Sequence, residues 1–204
     1  PYRTIARALE FAQPGDEVVL RGAPGVANNH YSESVRIQQP NITLRSQDGE
    51  WALIECPVND EDIDTCVRFD VDSSGSTLRR VEVTGGYYYG IKFETRWDWG
   101  EPDRSGASNI LIEDVKVHAT GNAAIKITPG CDDITIRRAE LYDTGLTINP
   151  DSAEGIDNVN GDRMTVQDSY LHDTAGTGMY FKGGAIDCLV ERTRIENTGG
   201  PGLL

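Results

Sequence analysis

The chain has 204 residues, a formal net charge of −14 and 38% hydrophobic content, enough to bury one substantial core and too apolar for a disordered segment. So acidic a protein offers no broad basic surface for phosphates, which argues against nucleic acid as a partner. No apolar run approaches the roughly 20 residues of a spanning helix, so no membrane span is expected.

The first element is a helix. In "TIARALEFAQPGD", Thr4 is placed as N-cap, Ile5, Ala8, Leu9 and Ala12 share one face, and Pro14-Gly15 ends the segment. Residues 1–15 read as an amphipathic cap, and 16–204 as one domain that starts with the irregular strands "DEVVLRGAPGV", "ESVRIQQPNITLRS" and "ALIEC". Cys56 and Cys66 then flank the acidic stretch "PVNDEDIDT", either as a disulfide or as two small buried residues. No C-x-x-C spacing supports zinc, and Cys188 falls at a core position.

Further along, "NILIEDVKVHATG", "DITIRRAELYDTG", "RMTVQDSYLHDTAG" and "DCLVERTRIENTG" superimpose with a period of about 24 residues. Three apolar columns emerge: Leu78, Ile112, Ile136, Val166 and Val190; Val83, Val117, Leu141, Leu171 and Ile195; Ile91, Ile125, Ile156, Met179 and Leu203. Within each segment apolar and polar residues alternate, as in strands with one buried face. Thr120, Thr144, Thr174 and Thr198 add a ladder at one corner. A sandwich or barrel does not require such position-by-position likeness, whereas stacked coils do, because each buries its face only against the next. The expected fold is all-β: a parallel β-helix solenoid capped by an N-terminal helix.

The cap "TIARALEFAQPGDEVVL" with "NITLRS", "NILIEDVKVHATG" and "DRMTVQDSYLHDTAGTGMYFKGG" resembles the right-handed parallel β-helix proteins of the pectate lyase-like superfamily, over essentially the whole chain. The resemblance implies a secreted or cell-surface protein acting on an acidic polysaccharide, as a lyase using a Lys or Arg base, commonly with calcium. No catalytic motif of a particular family matches: "GCDDI" aligns as a turn, and the Asp-Pro-His of mannuronan epimerases is absent. A non-catalytic carbohydrate-binding or surface-structural β-helix remains the alternative. Because Leu203 and Leu204 fall mid-strand in this register, a longer native chain with further coils is expected, monomeric when full length.

Two insertions, within "ETRWDWGEPDRSGAS" and "LTINPDSAE", are expected to wall one groove. The outward column between them reads Arg36, Arg68, Lys92, Lys126, Asp157 and Tyr180, a cationic track suited to a carboxylated chain. Lys126 is the expected base, Lys92 and Tyr180 its catalytic neighbours, and Arg68 and Arg36 the substrate binders. Trp97 and Trp99, near Tyr87, Tyr88 and Tyr89, are placed to stack on sugar rings. In "EGIDNVNGD" the alternation breaks: Asp157 replaces the expected lysine and Asn158 the second apolar residue. Asp157, Glu154 and Asp151 form the expected Ca²⁺ ligands; the competing reading is a solvated acidic loop with Asn158 closing a turn. His118, Tyr142, His172 and Glu196 form a further titratable column on another face.

Overall fold

A computed structural model describes residues 2–22, 30–96, 105–147 and 152–204 of the chain. Among the described residues, twenty short strands wind into three parallel sheets. The first sheet holds β1 (Glu17–Leu20), β4 (Thr43–Ser46), β7 (Thr77–Arg79), β10 (Leu111–Glu113), β13 (Thr135–Arg137), β16 (Thr165–Gln167) and β19 (Leu189–Glu191). The second holds β2 (His30–Tyr31), β5 (Ala52–Glu55), β8 (Val81–Thr84), β11 (Lys116–His118), β14 (Glu140–Tyr142), β17 (Tyr170–Thr174) and β20 (Arg194–Thr198). The third holds β3 (Val35–Ile37), β6 (Thr65–Phe69), β9 (Tyr89–Phe93), β12 (Ile125–Ile127), β15 (Ile156–Val159) and β18 (Met179–Lys182).

The register reproduces the apolar columns. Leu78, Ile112, Ile136, Val166 and Val190 pair in succession in the first sheet, and Val83 to Ile195 in the second. In the third sheet Ile91, Ile125, Ile156 and Met179 pair, and Leu203 continues the column through an isolated bridge. All three columns point inward, with Phe69 and Phe93 stacked at 5.0 Å inside the third sheet. Like residues meet at strand spacing, roughly 4.8 Å, so each coil completes the burial of its neighbour.

Strands this short need sharp corners, and the corners share one device. Asn109, Asp114, Asp133, Arg138, Arg163 and Asp168 all adopt left-handed backbone, with φ from 48° to 56°. For residues other than glycine that conformation costs about 1 kcal/mol each. Every coil turns the same way, however, so the corner amides stay in the inter-coil ladder: Asp114 N–H donates to the Arg137 carbonyl at 3.1 Å and Arg138 N–H to that of Gln167 at 3.1 Å. The side chains alternate in sign at one corner, and Arg138 grips Asp114 and Arg192 grips Asp168 bidentately.

The helix α1 (Ile5–Phe11) begins at Thr4, whose hydroxyl accepts from Arg7 N–H at 3.2 Å. Ile5 and Ala12 are buried and Leu9 packs on the core, which covers the first coil. Glu33, from the coil beneath, accepts the free N–H groups of Ile5 and Ala6 at 2.8 and 2.9 Å. Cys56 and Cys66 form a disulfide with Cα atoms 5.6 Å apart, tying the second sheet to the third across the acidic loop.

Candidate functional site

Period-two alternation sends one residue per coil outward from the third sheet, and register makes those residues a row. Arg36 pairs with Arg68, Arg68 with Lys92, Lys92 with Lys126, Lys126 with Asp157 and Asp157 with Tyr180. The expected column is therefore continuous. The tips of the two insertions, residues 97–104 and 148–151, lie outside the described residues, and with them Trp97, Trp99 and Asp151.

The row is not the free positive track expected of it. Arg36 reaches Asp70 at 2.7 Å, Arg68 is paired with Asp64, and Lys92 meets Glu94 at 2.8 Å. Lys126 donates to Oδ2 of Asp157, and Nζ of Lys182 lies 2.9 Å from Oδ1 of the same carboxylate. Asp70 and Glu94 stand two positions along the same outward face, and Asp64 comes from the loop before β6, so the column alone conceals them. The positive charge of the row is matched coil by coil.

The pairs differ in depth. Arg36 keeps 55% of its side-chain surface, whereas Lys126 keeps 15% and Asp157 4%. Glu154 is buried beside them; its Oε1 lies 4.0 Å from Lys182 Nζ and its Oε2 has no hydrogen-bond partner among the described residues. Burial pushes the Glu154 carboxyl above its usual range, and the charge of Asp157 adds to this against the opposing pull of its own N–H, Lys182 and Lys126. The same surroundings act on Tyr89. Burial first, then Asp157 and Glu154, push its phenol up to about 12, so it holds its proton, with Lys126 Nζ 5.9 Å from the ring centre.

Asp157 and Glu154 were expected to ligate calcium. As placed, the two ammonium groups engage both oxygens of Asp157, and the second also faces Glu154, so this pair of carboxylates does not fit a bare divalent cation that needs six or more oxygens. Asn158 has a different role. It occupies the inward position between Ile127 and Phe181, fully buried, and its amide donates to the Gly161 carbonyl at 2.9 Å and accepts from Gly161 N–H at 2.8 Å. A Cβ on Gly161 would meet the Asn158 oxygen at 2.9 Å and Ile127 at 2.6 Å. The broken alternation is thus two events: an outward carboxylate held by two lysines, and an inward amide closing a turn.

The other titratable column is spent on itself. His118, Tyr142 and His172 stack face to face at 4.7 and 5.0 Å, and His118 meets Glu82 at 2.9 Å. Those ring faces have no room for a sugar. Just before β9, Tyr88 donates to Glu61 at 3.0 Å, and Tyr87 packs edge-on against it at 4.7 Å. Lys182, Glu94, Asp70, the pairing of Asp64 with Arg68 and the position of Tyr89 over Lys126 escaped sequence reasoning. Lys182 carried one legible signal, since it follows Tyr180 by two residues and shares its outward parity.

A family model described as a right-handed β-helix region matches residues 65–204. No curated protein matches the chain by sequence. Among solved structures, an alginate lyase from Paenibacillus sp. superimposes with a TM-score of 0.78 at 21% identity, covering 97% of this chain and 65% of that one. The A-module of a mannuronan C-5 epimerase from Azotobacter vinelandii gives 0.71 at 17% identity, covering 97% and 52%. The Dettilon tailspike protein gives 0.63 at 13%, covering 98% and 41%. The chain spans less than two thirds of each of these proteins.

Proposed function

The chain belongs to the right-handed β-helix family, and on that scaffold we propose that the outward row of its third sheet binds an acidic polysaccharide and cleaves it by β-elimination. The observation that carries the reading is the Lys126–Asp157–Lys182 bridge on the outward row of the third sheet, with the Asp157 carboxylate buried at its centre. Burying the Asp157 carboxylate and half-burying the two ammonium groups that hold it is unfavourable for folding alone, which favours a use for them. Likeness to an alginate lyase and a mannuronan epimerase supports a uronate-bearing polysaccharide as the ligand.

Lys126, as free amine, takes the proton from C5 of a bound uronate. The C5–H electrons form the C4–C5 double bond as the C4–O bond breaks, and Tyr180 gives its phenolic proton to the leaving oxygen. Solvent then reprotonates the phenolate and removes the proton gained by the lysine. Lys126 must first give its own proton to solvent, which also removes its hydrogen bond to Asp157. Lys92 and Arg68 hold carboxylates of neighbouring sugars, exchanging Glu94 and Asp64 for the substrate.

One observation favours a second reading. Because each cation of the row already has a carboxylate, the groove also suits a non-catalytic binding or surface-structural role. Incubation with alginate, pectate and heparin-type chains separates the two. Elimination raises ultraviolet absorbance from the new double bond and the rise is lost in Lys126→Ala; a flat trace with saturable binding selects the second reading.

A further inference from the structure

Lys182 sits where the sequence places a metal. Its Nζ is 2.9 Å from Asp157 Oδ1 and 4.0 Å from Glu154 Oε1, between two carboxylates that are each nearly inaccessible to water. Its stem comes from β18 and its ammonium lies 4.7 Å from the Tyr180 ring centre, so the side chain is held across the strand by an aromatic face as well as by charge. Glu154 Oε2 and Asp157 Oδ1 are both buried without a hydrogen bond among the described residues, so Lys182 meets Asp157 as an ion pair and not through a directed hydrogen bond. Two oxygens of buried carboxylates around one cationic centre, with a spare buried oxygen beside it, form the donor set of a cation site rather than of a surface ion pair.

We propose that Lys182 is the built-in cation of this site: its ammonium fills the Asp157–Glu154 pair and makes the groove independent of divalent metal. The side chain is a positioning residue. It holds Asp157 from one side while Lys126 holds it from the other, and it supplies the positive charge that a uronate carboxylate requires. This last point rests on the proposed polysaccharide reading, whereas occupancy of the carboxylate pair does not. An ammonium brings one charge, while calcium brings two charges and demands more oxygens than the described pair provides. Removing the ammonium leaves two buried carboxylates with Lys126 alone to balance them, and that deficit draws in a cation from solution.

The test is metal binding, read by terbium luminescence sensitised through Tyr180 and by calcium calorimetry, on the wild type, Lys182→Met and Lys182→Arg. Lys182→Met is expected to bind calcium at least about tenfold more tightly than the wild type, from the added uncompensated ligand charge. Adding Asp157→Asn is expected to abolish the gain, and Lys182→Arg to resemble the wild type. If Lys182→Met fails to fold, Lys182→Gln serves in its place. Equal calcium affinity in wild type and Lys182→Met overturns the proposal, as does elimination by the wild type that stops on chelation. Gained metal binding with no elimination from any chain supports the built-in cation and counts against the polysaccharide lyase reading.

Discussion

Cations meet carboxylates across coils in two regions of this molecule, and water separates them. At the corner after the first sheet, Arg138 grips Asp114 with 45% and 28% of their side chains exposed. On the third sheet, Lys126 grips Asp157 with 15% and 4% exposed, and Lys182 takes the remaining oxygen. The corner pairs repeat and alternate in sign, and Asp114 and Asp168 stay hydrated, although Glu113 beside them is nearly as buried as Asp157 and is held by Arg137 and Arg138. The Lys126–Asp157 pair differs in interrupting the repeat and in having a second buried carboxylate, Glu154, beside it. Similar chemistry is cheap to keep in the first setting and expensive in the second, so the second is where function is sought.

The sharpest way to break that contrast is to remove one partner from each region. Asp157→Ala strands two partly buried ammonium groups and is expected to lower stability by about 3 kcal/mol and to abolish cleavage. Arg192→Ala at the corner is expected to leave the unfolding midpoint unchanged within error, because its partner Asp168 remains hydrated. Denaturant unfolding of both variants decides the matter, and equal losses would erase the distinction.

Opening the Cys56–Cys66 bridge by a double Cys→Ser change tests how far the groove depends on its flanking loop. The bond closes a separation of 10 residues, so removal is expected to lower stability by about 3 kcal/mol in chemical denaturation. The loop it anchors accepts the N–H groups of Tyr88 and Tyr89 at the Asp64 carbonyl, so alginate binding is expected to weaken as well. Asn158→Ala removes both hydrogen bonds to Gly161 and is expected to cost about 2 kcal/mol with little effect on cleavage, separating the inward half of the broken motif from the outward half.

The smallest effect is spectroscopic. Because burial and the charges of Asp157 and Glu154 raise the Tyr89 phenol to about 12, folding disfavours its ionisation. Its contribution to stability is full below pH 10 and is lost as pH rises through about 12. Tyr88, Tyr142 and Tyr170 are also raised, so several late steps are expected in an ultraviolet phenolate titration, and Tyr89→Phe removes one of them, at about 12. A Tyr89 that titrates with exposed tyrosines would place the pocket in water.

The fold was legible because its rule is local and repeated: Ile112 above Ile136, Leu141 above Leu171, one inward residue for each outward one. The outward row followed from the same parity, which is why Arg36 to Tyr180 emerged in order. The pairing did not follow. Asp64 reaches Arg68 from a preceding loop, Lys182 reaches Asp157 from a different strand position, and Glu33 caps α1 from the next coil, contacts that no periodicity encodes. Left-handed corners at Arg138 and Arg163 were equally hidden, since arginine carries none of the turn preference of Asn or Asp; the stacked amides enforce the conformation.

The central claim is that Lys126 and Asp157 form a working pair rather than one more rung of a ladder. Its most direct test is the rate of unsaturated-product formation from alginate by wild type and Lys126→Met, with the unfolding midpoint measured on the same samples. The account predicts at least about a hundredfold loss of rate in Lys126→Met, assayed well below an unfolding midpoint that is lowered because buried Asp157 is left with Lys182 alone. Product formation at the wild-type rate by Lys126→Met would contradict it.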